Sequence, residues 1–280
     1  MLEADAPRLR ARNEALWSAR SWFRTHGYVE INPPTAVLSP ALEEHLFAPA
    51  VSDKFLHTSP EFALKRVLAK GLPRVFSICP CFREEEWGPL HTQEFTMVEW
   101  YRAGCGYWEI MEEVEAFVRE LGKALGRKLE EPFRRLTYAA AFEAHAGQAP
   151  PSDPVEAQRV WINDVEPKLV VPTFVYDYPA RDAAFASVRG DVAERFELYI
   201  AGVELGNAFT ELLDAEELLE RWKANNASRI EAGRSAHPID SRVLDAVARH
   251  PRAGGVALGF DRLLLVLLGL SDIRETQISG

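Results

Sequence analysis

The stretch CFREEEWGPLHTQEFTMVEW, residues 81–100, sets an arginine and three acids before a loop, then alternates ring, acid and phenol after it. If both flanks are strands, successive side chains take opposite faces. Cys79, Cys81, Arg83 and Glu85 then share one face of the incoming strand. Phe95, Met97, Glu99 and Tyr101 share one face of the returning strand, and Thr96, Val98 and Trp100 take the other. Pairing across the 86–93 loop lets the two polar faces coincide. A face with a cation, carboxylates, a ring and a phenol is costly to bury dry, so it suits a wet cleft. A guanidinium for phosphate and a ring for a base are the equipment for a nucleoside triphosphate. Pro80 removes a ladder donor within this strand, which places the segment at an edge or at a bulge.

Two further clusters have the same character. ERFELYIAGVELGNAFTEL (194–212) reads as two strands turning at Ala201–Gly202, with Glu197 opposite Glu204 if the turn is tight. Facing carboxylates with no basic partner repel unless a divalent cation sits between them. Asn207, Phe209 and Glu211 alternate on one face, and a bulge at Gly206 brings Glu204 into phase with them. In AGGVALGFDRLLLVLLG (253–269), Gly254, Gly255 and Gly259 allow close backbone approach. Asp261 is expected to cap an apolar helix. Arg262 falls in the first turn of that helix, where a cation opposes the helix dipole unless an anion binds beside it.

The elements that must hold these groups follow from periodicity and punctuation. Residues 8–26 read as an amphipathic helix with Leu16, Trp17, Trp22 and Phe23 on its apolar side, ended by Gly27. Residues 59–71 carry a helix entry at Ser59–Pro60 and a stop at Gly71. Strands are expected at 74–83, 94–101, 173–178, 195–200, 203–211 and 255–260. Helices are expected at 107–125, 214–232 and 262–270, with weak helicity over 155–170 after a Pro-rich linker. Antiparallel strands with inserted helices give an α+β fold, an antiparallel sheet flanked by helices, as one domain over 1–280.

Composition narrows the function classes. A 280-residue chain that is 47% hydrophobic can bury a sizeable core. It has no run of 18 apolar residues, so no membrane span is expected. The net charge of −10 disfavours non-specific attraction to nucleic acid and leaves room for a basic protein partner. Three cysteines with no CxxC pair argue against a disulfide frame or a zinc site, and for a reducing, cytoplasmic setting.

Taken in order, these clusters resemble the three motifs of class II aminoacyl-tRNA synthetases: GYVEINPP with Pro34, FREEEWGPLHTQEF, and GVALGFDRL. SPEFALKR, FTMVEWY, PTFVYDYP and RFELYIAGVELGNAFTEL are most similar to the lysyl branch. The pattern starts near residue 10, which leaves no space for an anticodon-reading domain. In this the chain resembles the elongation factor P–lysine ligase family, as do EEWGPLHTQEFTMVEWYR and GGVALG. Ala257 stands where lysyl synthetases usually have glycine.

The resemblance implies roles by position. Arg83 would touch the α-phosphate and the substrate carboxylate, Glu85 the adenine amino group, and Phe95 would stack on the adenine. Arg262 would lie against the other side of the adenine or the γ-phosphate. Leu205 and Gly259 would complete the ATP site, and Glu197 and Glu204 would hold Mg²⁺. Glu61 would bind the amino group next to the substrate carboxylate, and Glu99, Tyr101 and Glu211 would surround the ε-ammonium. Ser59, Asn207 and Ala257 would complete the substrate's surroundings. Thr92 replaces an asparagine that contacts ATP in relatives. The segments 44–56 and 148–172 look shorter than in well-known members, and the chain ends soon after motif 3.

The implied activity is an ATP-dependent ligase. It would activate lysine or (R)-β-lysine as an acyl-adenylate and pass it to a lysine side chain of elongation factor P. The first motif implies a homodimer. A free-standing enzyme charging tRNA and a non-catalytic lysine or nucleotide sensor are the competing readings. Retention of Arg83, Arg262, Glu197 and Glu204 disfavours the sensor.

Overall fold

A pair of antiparallel strands within residues 74–103 sets the centre of the fold. The computed structural model describes residues 2–41 and 46–278. Of the stretches flagged above as short, residues 44 and 45 lie outside that range, as do 279 and 280 at the chain's end. In chain order the elements are α1 (Leu2–Thr25), β1 (Val29–Glu30), β2 (Ala36–Val37), β3 (Ala50–Val51), β4 (Lys54–Leu56), α2 (Glu61–Leu68), β5 (Arg74–Phe82), β6 (Glu94–Ala103), α3 (Tyr107–Ala124), β7 (Arg134–Thr137) and α4 (Tyr138–Ala146). There follow α5 (Pro154–Val160), β8 (Thr173–Pro179), β9 (Val188–Arg189), β10 (Val192–Ile200), β11 (Val203–Thr210), α6 (Ala215–Glu231), α7 (Ser241–Val247), β12 (Ala253–Gly259) and α8 (Phe260–Leu268).

The main sheet runs β1-β5-β6-β12-β11-β10-β8-β7, with β9 beside β10. Its central pairings are antiparallel, and the outer pairs β1–β5 and β7–β8 are parallel. Val98 and Trp100 of β6, with Val256 and Leu258 of β12, face the core. There they meet α1 (Ala15, Ala19, Trp22, Phe23), the apolar side of α3, and α8. The α1 stripe follows the i, i+4, i+7, i+8 rows of a helix face. Trp17, expected on that stripe, falls outside it and is 66% exposed.

Pro80 causes no bulge: β5 pairs with β6 in unbroken register from Arg74 to Phe82. On its other side β5 meets β1 only at Val75 and Phe76. The segment after β4 covers the remaining edge, where the Phe82 N–H donates to the His57 carbonyl at 3.0 Å. Proline is tolerated at such a partly open edge.

The β10–β11 hairpin departs from a simple tight turn. Ala201 and Gly202 both have positive φ, 56° and 72°, the geometry of a two-residue type I′ turn. A bulge follows, with Tyr199 opposite Glu204 but Leu198 opposite Gly206. Glu197 therefore pairs with Asn207, not Glu204. The extra residue still brings Glu204 into phase with Asn207 and Phe209, as expected. Gly255 has a steric reason: a Cβ there would lie 2.3 Å from the Tyr101 ring and 2.5 Å from a Glu211 oxygen.

Asp261 does not cap α8. The N-cap position belongs to Gly259, and Asp261 is the buried second residue of the helix. Its carboxylate accepts from the Thr96 N–H at 2.6 Å and from Gln277 Nε2 at 2.9 Å, and pairs with Arg12. It thus bolts α8 to the start of β6.

Candidate active site

The face of the sheet opposite the core helices opens into a cavity of about 280 Å³. Side chains from β6, β10, β11, β12, the start of α8 and the loops after β4 and β5 line it. Arg83, Phe95, Glu99, Tyr101, Glu197, Glu204, Leu205, Asn207, Ala257, Gly259 and Arg262 are among them, with Ser59 and Glu61 at the α2 end. Groups distant in the chain therefore converge on one space. Glu85 and Glu211 do not line it.

Arg83 and Arg262 both line the cavity, and Arg83 faces a ring. The Arg83 guanidinium lies 5.0 Å from the Phe95 ring centroid and 3.4 Å from a Glu86 oxygen. Its Nε is buried with no hydrogen-bond partner, a donor that an anion would satisfy. Arg262 reaches back across the cavity wall. Its Nε donates to the Leu90 carbonyl at 3.1 Å, Nη1 to the Glu204 carbonyl at 3.2 Å, and Nη2 to His91 Nε2. Burial, then Arg262, depress the His91 pKa, consistent with a neutral ring accepting through Nε2. A Cβ on Gly259 would meet nothing closer than 3.7 Å. Protein packing therefore does not require glycine there, and the cavity side is left open.

Glu85 departs from its expected place because β5 ends at Phe82, so strand alternation stops short of it. Its φ of 64° turns the side chain out. There it is 58% exposed and takes both carboxylate oxygens to Arg234, each at 2.8 Å. Its neighbour Glu86 lines the cavity instead.

The acid pair is not free of cations. Glu197 accepts from Arg195 Nη2 on one oxygen, and from the Tyr178 and Tyr199 hydroxyls on the other. Glu204 has no comparable set of donors. Burial first, then the Glu197 charge, raise its pKa to about 7, against the opposing pull of Arg262. A carboxylate that resists ionisation among other acids is one that a divalent cation would stabilise.

At the opposite end the acids outnumber the bases. Glu99 is fully buried and accepts from the Ser59 hydroxyl at 2.7 Å and the Tyr101 hydroxyl at 2.7 Å. Burial and the nearby Glu61 raise its pKa to about 8. Lys65, one helical turn after Glu61, is buried with its ammonium 2.5 Å from Glu61 and 2.6 Å from Glu211. Burial also lifts Glu211 to about 8, though Lys65 pulls the other way. Glu211 thus pairs with the protein's own Lys65, while its other oxygen lies next to Gly255, a residue that lines the cavity.

A family profile described as tRNA synthetases class II (D, K and N) matches residues 3–278. The elongation factor P–(R)-β-lysine ligase of Salmonella arizonae is 33% identical over 316 aligned positions, covering 97% of this chain and 94% of the relative. That of Vibrio atlanticus is 34% identical over 312 positions, covering 97% and 95%. The chain belongs to the class II synthetase family, in its elongation factor P–lysine ligase branch.

A class II synthetase domain with this cavity presents guanidinium groups at one end and carboxylates at the other. Between them, the β6 and β12 residues Met97 and Ala257 form the floor. Sequence reasoning missed Lys65, although its i+4 spacing from Glu61 on a helix was a usable signal. It also missed Arg195, two residues before Glu197 on the same strand face.

Two outcomes are expected. Binding a cationic amino acid should drive Glu99 to ionise. Its affinity should therefore rise with pH from about 6 to about 8, with protons released, by calorimetry in buffers of different ionisation enthalpy. Lys65→Met should destabilise the fold by roughly 3–5 kcal/mol, because it leaves buried acids unpaired. The loss should be greatest above pH 8 and smaller at lower pH, where Glu211 is protonated, as read by urea unfolding across pH.

Proposed function

We propose that this chain is an ATP-dependent, AMP-forming ligase. It activates lysine or (R)-β-lysine as an acyl-adenylate and transfers the acyl group to a lysine side chain of elongation factor P. One observation carries the reading. A single cavity holds two arginines beside a ring, a pair of acids, and a second acidic end able to take an ammonium group.

The first step joins a carboxylate oxygen of the amino acid to the α-phosphorus and breaks the bond to the β-phosphate, releasing pyrophosphate. Negative charge grows on the phosphoryl oxygens as this happens. Arg83, with its unpartnered Nε, and Arg262, held by two backbone carbonyls, are placed to meet that charge without reorganising. Phe95 offers its ring to the base. Leu205 and the open side of Gly259 give the nucleotide room. Glu204, with Glu197 beside it, fits Mg²⁺: a poorly ionised buried carboxyl among acids gains most from a hard cation. When bound, Mg²⁺ would neutralise phosphate charge. Glu85 would have to leave Arg234 to reach an adenine amino group.

Glu61 keeps an oxygen for the amino group near the substrate carboxylate. Glu99 and Tyr101 receive the distal ammonium, with Ser59, Asn207 and Ala257 around it. Glu211, paired with Lys65, adds a further carboxylate beside them. An uncharged isostere would leave these buried polar groups unpaired, which gives strong discrimination. In the second step the uncharged amine of the acceptor attacks the acyl carbon. AMP leaves with the bonding pair, and the amine gives up a proton. This step chiefly needs positioning. A protein side chain as acceptor requires no anticodon recognition, and a translation factor as partner places the reaction in the cytoplasm. Among the described residues no helix is long and apolar enough to cross a membrane.

Lysine-dependent exchange of pyrophosphate into ATP should be present, and should fall about 10²–10³-fold in Arg262→Ala and in Arg83→Ala. Mass spectrometry of elongation factor P after incubation with each isomer should show one aminoacyl increment. Charging of tRNA with no change in the factor would reject the acceptor assigned here.

Homodimerisation through α1 and the Pro34 segment belongs to the same proposal. Trp17, Val29 and Leu38 are 66%, 44% and 50% exposed along that stretch, an apolar surface that a second copy would cover. Sedimentation should give twice the chain mass for the wild type and the monomer for Trp17→Glu.

A further inference from the structure

The cysteine spacing alone argued against a metal site, but the fold adds a histidine to it. Cys79 and Cys81 lie on one face of β5, and the chain after β4 lays His57 against them. One ligand atom from each of the three residues lies within 4.8 Å of the others, and all three residues are buried. We propose that His57, Cys79 and Cys81 bind one thiophilic cation of the zinc class, at a place separate from the magnesium position on the nucleotide.

The donor set is the first argument. Two thiols and an imidazole are soft-to-borderline ligands that prefer zinc-like ions over magnesium or calcium. Donors about 2.0–2.3 Å from one tetrahedral ion stand roughly 3.5 Å from each other. The cluster therefore needs to contract by about an ångström, within reach of side-chain rotation.

The orientation of His57 is the second argument. Its Nε2–H donates to the Pro80 carbonyl at 2.8 Å, so the lone pair of the neutral ring stands on Nδ1. A backbone carbonyl taking the proton of one ring nitrogen, with the other left to the metal, is how metal-bound imidazoles are oriented. The backbone is fixed as well. The His57 N–H donates to the Thr35 carbonyl at 2.9 Å, and the His57 carbonyl accepts from Phe82 N–H at 3.0 Å.

Ser77 is the third. It is the next residue on the same strand face, it is 1% exposed, and its hydroxyl has no hydrogen-bond partner. An orphaned buried hydroxyl is costly. Here it adjoins the Cys79 thiol, which puts an oxygen donor beside the sulfurs. Cys105 provides the contrast. Also buried, it donates to the Arg102 carbonyl at 3.2 Å and has no place in the cluster. The exposed Pro80 between the two thiols keeps the cluster one residue beneath the surface. On binding, the thiol protons leave to solvent and two metal–sulfur bonds form. Cys79 and Cys81 stand opposite Met97 and Phe95 in the β5–β6 register, so the ion would sit on the cavity face of the sheet, beside the cavity.

The test is titration of the reduced full-length protein with Co²⁺. A thiolate-to-metal charge-transfer band should grow to one equivalent per chain. Zn²⁺ should abolish it, and excess Mg²⁺ should leave it unchanged. Affinity should fall at least tenfold in Cys79→Ser and in Cys81→Ser, and stay the same in Cys105→Ser. X-ray absorption of the zinc-loaded wild type should show two sulfur neighbours and does not depend on any variant folding. No charge-transfer band, fewer than two sulfurs, or a band lost only in Cys105→Ser would overturn the assignment. The nucleotide and lysine reading would stand in each of those cases.

Discussion

Everything in this molecule depends on the central strands having two chemically opposite faces. On β6, Val98 and Trp100 enter the main core, while Phe95, Met97, Glu99 and Tyr101 meet the cavity. A strand cannot slip by one residue without exchanging those sets. Burial of Trp100 against Trp22, Phe23 and Phe117 therefore holds the polar face in place. The apolar core acts as the clamp for the site, and α8, bolted to β6 through Asp261, carries Arg262 in with it.

The second theme is charge balance. The acidic end of the cavity gathers Glu61 and Glu211 around one fixed cation, Lys65, with Glu99 near Glu61. Burial resists ionisation of Glu99 and Glu211. With folded pKa values raised above the ordinary carboxyl range, both groups favour the folded state at low pH and withdraw that contribution as pH rises toward 8. The site therefore holds protons that an arriving ammonium group can displace. Glu204 has the same character toward the other end, where the proposed Mg²⁺ would take the place of the proton. On the proposed reading, recognition of cations at both ends would be coupled to proton release, as expected when buried acids are held without full compensation.

Where local pattern and final structure agree, the reason is short range. Helix α3 and strands β5, β6, β10 and β11 follow their periodicity to within a few residues. The bulge before Asn207 was readable because Glu204 was out of phase with the residues after it. Residues 134–146, which form β7 and α4, had no distinct signal and were passed over. Glu85 was misplaced by carrying strand alternation beyond the last strand residue. Asp261 was taken for a cap because its real partners, Thr96 and Arg12, are more than a hundred residues away.

By itself the sequence determined the class of chemistry, through motifs whose residue types and order suit a nucleotide and a diamino acid. It also determined the strand faces, because alternation is a property of neighbours along the chain. Only the tertiary structure decided which charges meet. That Lys65 pairs with Glu211, that Arg195 and two tyrosines occupy Glu197, and that His57 lies against Cys79 and Cys81 all depend on strand order and edge coverage. Electrostatic partners are chosen by distance in space and by burial, and neither quantity is written in the local spacing of residues.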